Sequence, residues 1–373
     1  MSQKGENIYL RRDGRWEGRF SKGRENGKLR FGYVFGHSYR ETKEKLLAAK
    51  ISWQSCCEKM QRRNETLEAV SAMWLSESTR FLKESTVAKY QEYLDYYILP
   101  ELGALPVDSI TTEKTEALFH RLKTSGGKNS RGLAAQTLAS ILRILKKIKE
   151  YALRLGFTVR FSLEHLTIKR RQKALRVFSE DEWGRLESFL KSRQTSCHGG
   201  ILLAMWTGIR IGELCALRWD DISLTLRQIH IHQTLQRIRD ISGNGSKTRI
   251  IITPPKSESA NRVIPLPDAL CEYLKPLCKA GACFLTNEAG KYIEPKTMER
   301  RFKAILKTCE IETATFHVLR HTFATRCVEA GFDPKCLSAI LGHADVSVTF
   351  NRYVHPTMEM KRRNMMKFMK LAI

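Results

Sequence analysis

A multidomain chain, mainly α-helical with small antiparallel sheets, is predicted by three observations. At 373 residues the chain exceeds what one hydrophobic core ordinarily serves, so two or three domains are expected. Its hydrophobic period is strand-like at the N-terminus, helical to about residue 160 and mixed thereafter. A basic, weakly patterned stretch, TIKRRQKALRVFS at residues 167–179, reads as a link between the two larger parts.

Residues 1–62 read as a three-stranded sheet followed by a helix. The runs NIYLRR, RWEGRF and LRFGYVFG alternate polar with aromatic or aliphatic side chains. Asp13-Gly14, Lys22-Gly23 and Asn26-Gly27 supply turn signals between them. From Arg40 the spacing becomes helical in RETKEKLLAAKISWQSCCEKM. This segment carries 15 Lys and Arg against 7 Asp and Glu. A sheet with arginines on one face fits a DNA major groove, and Arg11, Arg15, Arg19 and Arg30 are its candidates.

Residues 63–165 read as a bundle of four helices, from TLEAVSAMWLSES, TVAKYQEYLDYYILPEL, TTEKTEALFHRLKTS and AAQTLASILRILKKIKEYALRLG. Pro100, Gly103 and Pro106 break the second from the third, and SGGKNSRG at 125–132 is a basic loop. Lys83, Lys89, Lys128, Arg131, Lys146 and Lys147 are candidates for phosphate contact, although an individual lysine is more often simply solvated. Residues 166–373 read as an α+β domain. Ser179 with Glu182 three residues on signals a helix start. Helices run to about Leu217, strand-like QIHIHQTL, TRIIIT and RVIPL follow, and helices resume after Pro267. TRIIIT and RVIPL are expected to pair as a hairpin.

The formal charge is +25, from 64 basic and 39 acidic residues. Such an excess repels itself unless a polyanion neutralises it, which makes nucleic acid the leading partner. No segment approaches the roughly 18 apolar residues of a membrane span, and the N-terminus lacks the apolar stretch of a signal peptide. A cytoplasmic protein without a membrane partner is expected. The ten cysteines form no CxxC pair and read as reduced thiols, not a zinc site.

The chemistry-bearing residues lie in the last part. Arg210 sits in TGIRIGELCALRWDDI, His317 and Arg320 in HVLRHTFAT, and His343 and Tyr353 in LGHADVSVTFNRYVH. A phosphodiester gains negative charge in its five-coordinate transition state, and paired arginines stabilise it through forked hydrogen bonds. Arg210 and Arg320 are the natural pair; no DxD or HExxH cluster near them suggests a metal enzyme. A nucleophile that must later leave suits a phenol, which ionises near pH 10. Tyr353 has that role by its company. His317 is placed to accept the phenol proton or bond a nonbridging oxygen, and His343 to donate to the phosphate. Lys256, in TPPKSESANRVIPL, is the expected general acid for the leaving oxygen, with Lys247 a weaker rival. Glu213, three residues after Arg210, is expected to hold its guanidinium or to pair with His317. His321 follows His317 by four residues, a metal-binding spacing on a helix, but no third ligand is visible; His230 and His232 on one strand face carry the same discount. No metal or cofactor is expected.

These segments resemble the tyrosine recombinase (phage integrase) family over roughly residues 175–360. TGIRIGELCALRWDDI is similar to the family's first arginine box, TPPKSESANRVIPL to its lysine segment, HVLRHTFAT to its His-x-x-Arg box and LGHADVSVTFNRYVH to its closing segment. His343 and Tyr353 stand ten residues apart, one more than in many members. The resemblance implies strand cutting through a 3′-phosphotyrosyl link with release of a 5′-hydroxyl, a Holliday junction and a homotetramer on double-stranded DNA. It makes residues 1–62 an arm-type DNA-binding domain, 63–165 a core-binding domain and 166–373 the catalytic domain, most like integrases of conjugative transposons and temperate phages. An excisionase and a DNA-bending host protein are the partners so implied. The tail HPTMEMKRRNMMKFMKLAI, with Met358, Met365, Met366, Phe368, Met369 and Leu371, is suited to pack into a neighbour's groove or onto its own domain. Three alternatives stay open on sequence: a type IB topoisomerase-like relaxing enzyme, a DNA-binding regulator that does not cut, and a metal-dependent nuclease.

Overall fold

The structure is a computed structural model of the chain. It describes residues 7–25, 28–63, 65–127, 131–169, 175–240, 247–255, 257–278 and 292–353, with the single positions 358, 362, 365 and 366. Lys128 and Lys256 lie outside the described residues, as do Phe368, Met369 and Leu371 of the tail; Met358, Met365 and Met366 are exposed. Contacts divide the chain into two compact units, Met1–Arg171 and Gln172–Ile373.

The first unit opens with an antiparallel sheet ordered β1-β2-β3, from β1 (Ile8–Leu10), β2 (Trp16–Glu25) and β3 (Lys28–Gly36). The Asp13-Gly14 signal is a turn, with Gly14 at φ 81°. Lys22-Gly23 is not. The strand runs through it, and the register shifts between Ser21 and Gly23, so the glycine marks a bulge inside β2. Asn26-Gly27 lies outside the described residues. One sheet face closes on helix α1 (Tyr39–Arg63) through Ile8, Phe20 and Leu46, with Trp16, Val34 and Tyr39 around them.

Four longer helices follow: α2 (Leu67–Ser78), α3 (Glu84–Tyr93), α5 (Thr112–Thr124) and α6 (Ala135–Arg154). Thr66 and Thr111 accept hydrogen bonds from backbone amides at the starts of α2 and α5. The second helical segment runs through Pro100 and ends at Gly103. A π-helical turn, Leu94–Ile98, carries α3 into the short α4 (Leu99–Leu102), where proline sits in the first turn and needs no amide partner. The apolar faces meet in one core that includes Leu67, Trp74, Ile98, Leu118, Leu122, Ile141, Leu145 and Ile148.

The end of the basic link already packs within the second unit. Phe178 is buried, its amide donates to Thr322 Oγ1 at 2.9 Å, and Leu175 packs on the core around Tyr353. Ser179 and Glu182 then form a reciprocal capping box on α7 (Glu180–Lys191). Helices α8 (Ser196–Thr207) and α9 (Ile211–Ala216) precede the strands β4 (Ile222–Ser223), β5 (Gln228–Ile231), β6 (Thr234–Arg239), β7 (Thr248–Thr253) and β8 (Arg262–Pro265). The expected TRIIIT–RVIPL hairpin does not form. β7 pairs with β6, while β8 pairs with β5 in a sheet ordered β4-β5-β8. The chain changes sheets at His232-Gln233, so β6 and β7 pair with each other while β8 returns to β5, and Lys256 lies in sequence between β7 and β8. Helices α10 (Asp268–Leu274), α11 (Pro295–Thr308), α12 (His317–Glu329), α13 (Pro334–Leu341) and α14 (Val346–Tyr353) complete the unit. Its core is continuous from Leu186 and Ile201 through Ile229 to Phe302 and Leu319.

Candidate active site

Two helix ends build the site. α8 stops at Gly208 and α13 at Gly342, at φ 67° and 65°, left-handed conformations in which a side chain is strained. Each glycine is also needed for space. A Cβ on Gly208 would stand 2.6 Å from Phe323 Cδ1, and one on Gly342 2.9 Å from Arg262 Nη1. The glycines of TGIR and LGH therefore terminate helices and leave carbonyls facing one cleft. Gly208→Ala is expected to cost roughly 2–4 kcal/mol through strain and overpacking. A thermal midpoint within a degree of wild type would refute that account.

Arg320 is the largest fully buried side chain of the described residues, only 2% exposed. It donates from Nη1 to Gly208 O at 3.0 Å and from Nη2 to Leu341 O at 2.8 Å and His343 Nε2 at 2.7 Å. Burial first, and then the charge of Arg210, push its guanidinium down to about 9, so it stays cationic at neutral pH. Arg210 starts α9, donates to Gly342 O at 3.2 Å and pairs with Glu213 at 2.6 Å. Its side chain is more than a third exposed and is the accessible guanidinium of the two.

Glu213 is buried between two arginines. Oε1 accepts from Nη1 of Arg210 at 2.6 Å and Nη1 of Arg262 at 3.2 Å; Oε2 accepts from the Arg210 backbone amide at 3.0 Å and Nη2 of Arg262 at 2.9 Å. Burial alone would raise its carboxyl, but Arg262 and then Arg210 offset this and hold it below its ordinary value. Of the two roles expected for Glu213, holding Arg210 is the one these bonds support. Arg262 was missed in sequence. It donates from Nε to Ile340 O at 2.6 Å and from Nη1 to Ala260 O at 3.0 Å, tying β8 to the end of α13. The available signal was parity: Arg262 falls on the same inward face of RVIPL as the buried Ile264.

His343 meets Arg320 on one side and Thr349 on the other. A guanidinium has no acceptor, so Nε2 of His343 accepts from Arg320 and Nδ1 donates to Thr349 Oγ1 at 2.7 Å. In this arrangement the ring buttresses Arg320. It stacks on Tyr353, centroids 6.5 Å apart and planes within 5°. Tyr353 ends α14 and is buried against Ala324, Cys327, Val328, Leu337 and Leu341. Its hydroxyl pairs at 2.7 Å with Nδ1 of His321, which the sequence reading had weighed only as a metal ligand. His317, one turn earlier on α12, meets His321 edge to face at 4.3 Å.

The remaining candidates lie elsewhere. On the sheet face opposite α1, Arg19 lies over Tyr9 and Tyr33, while Arg11 and Arg15 lie over Phe35. Glu17 holds Arg11 and Arg19 at 2.8 and 2.6 Å, and Asp13 holds Arg15 at 2.8 Å. Arg30 does not share this face: it alternates with Phe31 and Tyr33 and falls on the α1 side of β3. Lys83, Arg131 and Lys146 are exposed; Lys89 pairs with Glu92, and Lys147 lies over Tyr90. Lys247 is exposed where β7 begins. His230 and His232 lie 4.9 Å apart but pair with Asn261 and Asp221. Among the described residues no group of three or more His, Cys, Asp or Glu is arranged to hold a metal, and no helix is long and apolar enough to cross a membrane.

Comparison with known proteins gives a consistent assignment. Residues 176–360 match the phage integrase family and residues 66–122 the phage integrase N-terminal SAM-like domain. The XerC-like tyrosine recombinase of Caldanaerobacter subterraneus is 26% identical, covering 89% of each chain. The transposase from transposon Tn916 of Enterococcus faecalis is 25% identical, covering 76% of this chain and 74% of its own. Among solved structures, the Tn1549 transposon integrase in complex with a circular intermediate DNA superposes with a TM-score of 0.66 at 22% identity, over 82% of this chain and 99% of that one. A lambda integrase dimer bound to a core site gives 0.59 at 18% identity, over 95% and 96%. The chain belongs to the phage integrase family and is a tyrosine-type site-specific recombinase.

Proposed function

We propose that the chain integrates and excises a mobile element by cutting and rejoining DNA strands through a 3′-phosphotyrosyl link on Tyr353. The observation that carries this is the convergence of Arg210, Arg320, His343 and Tyr353 on the Leu341–His343 turn. Arg210 and Arg320 hold the nonbridging oxygens of the scissile phosphate, with Glu213 and His343 fixing the two guanidinium groups. His317, at the start of α12, bonds a nonbridging oxygen. Tyr353 Oη attacks phosphorus, and the bond to the 5′ oxygen breaks. Lys256, assigned from its segment alone, gives that oxygen its proton. The 5′-hydroxyl of a partner strand then attacks the phosphotyrosine and frees the phenol.

Residues 63–165 and 166–373 form the two halves that hold core DNA. Residues 1–62 bind arm-type sites through Arg11, Arg15 and Arg19, and occupying both site classes raises affinity through bivalency. Lys83, Lys89, Lys128 and Arg131 supply sequence-independent phosphate contacts. A homotetramer on a Holliday junction completes the exchange; lambda integrase, solved as a tetramer bound to such a junction, supports this reading. The transposon relatives support a mobile element as substrate, and an excisionase with a DNA-bending host protein would set direction. The protein acts in the cytoplasm, on nucleoid DNA.

The test is trapping on a nicked core-site duplex with EDTA present. A covalent adduct mapped by mass spectrometry to Tyr353 is expected; linkage elsewhere, or plasmid relaxation without a specific site, would replace this reading. Lys256→Ala should slow cleavage about 10²-fold or more on ordinary DNA and little on DNA with a 5′-thiolate leaving group. Equal losses on both would remove its acid role.

A further inference from the structure

The sequence left the phenol's proton without a firm destination, and the fold supplies one. We infer that His321 is the general base of strand cleavage: it holds the Tyr353 hydroxyl, takes its proton as the phosphotyrosyl bond forms and returns it on rejoining. The inference rests on Tyr353 being the nucleophile, as proposed above.

The geometry is direct. His321 Nδ1 and Tyr353 Oη are 2.7 Å apart, inside the range required of a catalytic base, and each residue is 6% exposed. A phenol ionises near pH 10, so at neutral pH only about one molecule in a thousand is phenoxide. Water has little access to a side chain this deeply buried, which belongs to the cluster of Ala324, Val328, Leu337 and Leu341. The base must then be a protein group already in contact, and the imidazole is such a group. His317 packs edge to face on His321, so the base is held between the nucleophile and a second imidazole.

The step balances without a co-reactant. The proton of Oη passes to Nδ1, the Oη–phosphorus bond forms, and the bond to the 5′ oxygen breaks as that oxygen gains its proton from the acid. His321 is left as imidazolium. In rejoining, the incoming 5′-hydroxyl gives its proton back to the acid as its oxygen bonds phosphorus, the Oη–phosphorus bond breaks and Nδ1 returns the proton to the departing phenolate. The charged and titratable groups around His321 are His317, Arg320 and Cys327 from its own helix, Tyr353 from α14 and His343 from the turn before it; Arg210, Glu213 and Arg262 lie beyond Arg320. α8 faces this region with the carbonyl of Gly208.

The test measures single-turnover adduct formation by the full chain on a nicked core duplex from pH 5.5 to 9.5. Wild type should rise with pH as the imidazole loses its proton and then level. His321→Gln should be slower by about 10²–10⁴-fold at pH 7, with the rate climbing as pH rises so that the deficit shrinks. A deficit equal at every pH, or none, overturns the assignment. A second measurement needs no histidine variant: Tyr353 is replaced by a ring-fluorinated tyrosine, whose phenol ionises more readily. With a base in contact, the rate at pH 7 should change by no more than about threefold; a rise of about tenfold or more would mean unassisted ionisation and overturn the assignment. Absence of any wild-type adduct on bound DNA would instead remove Tyr353 as the nucleophile, and the base with it.

Discussion

Tyr353→Phe is expected to bind core DNA as tightly as wild type and to form no covalent adduct. The arginines that meet the phosphate are fixed without the phenol: Arg320 by Gly208, Leu341 and His343, and Arg210 by Glu213 and Gly342. The phenylalanine ring keeps the stacking on His343 and the packing against Leu337 and Leu341, so the cleft keeps its shape. The variant also loses the bond to His321, stranding a buried polar nitrogen, and should be less stable by about 1–3 kcal/mol. Filter binding, denaturing gels and thermal melting separate these effects. An adduct of normal yield in the variant would show that another nucleophile acts.

Much of the site was legible because the chemistry selects residue types at fixed places. HVLRH and LGH carry Arg320 and His343, which touch, and TGIR carries Arg210. The glycines in two of these segments also have a structural reason, since both end helices in left-handed conformations. Element types were legible wherever periodicity was strong, as in the capping box at Ser179 and the α6 face that buries Ile141, Leu145 and Ile148. Pairing was not. β7 and β8 follow one another in sequence and look like a hairpin, but strand partners are set by which neighbour completes a buried face, a property of the whole domain. The same limit hid Arg262 and His321. One is an arginine on the inward side of a strand, the other a histidine one turn beyond a better-known one, and their roles depend on partners far away in sequence: Glu213 for the first and Tyr353 for the second.

Glu213→Ala is expected to have the largest effect on stability of any single substitution in the site. Its carboxylate is the shared anion between Arg210 and Arg262, and Arg262 is almost wholly enclosed. Removing it leaves the enclosed Arg262 guanidinium without its counter-ion, beside the partly exposed Arg210. Breaking a buried ion pair from one side typically costs about 3–5 kcal/mol, because the remaining charge stays desolvated. Arg210 also loses the restraint on its orientation, so cleavage should fall more than DNA affinity does. Glu213→Gln keeps the volume and one acceptor and should lose less stability. The pH dependence gives an independent check. The folded carboxyl lies below its ordinary value, so its contribution is fully present above about pH 4.3 and disappears as pH falls through the depressed value. Wild type should therefore exceed Glu213→Gln in stability at pH 7, and the gap should narrow as the solution is taken below pH 4. Chemical denaturation at both pH values measures the gap directly. A gap that stays constant would mean the substitution acts through packing, and that the carboxylate does not hold the two arginines by charge.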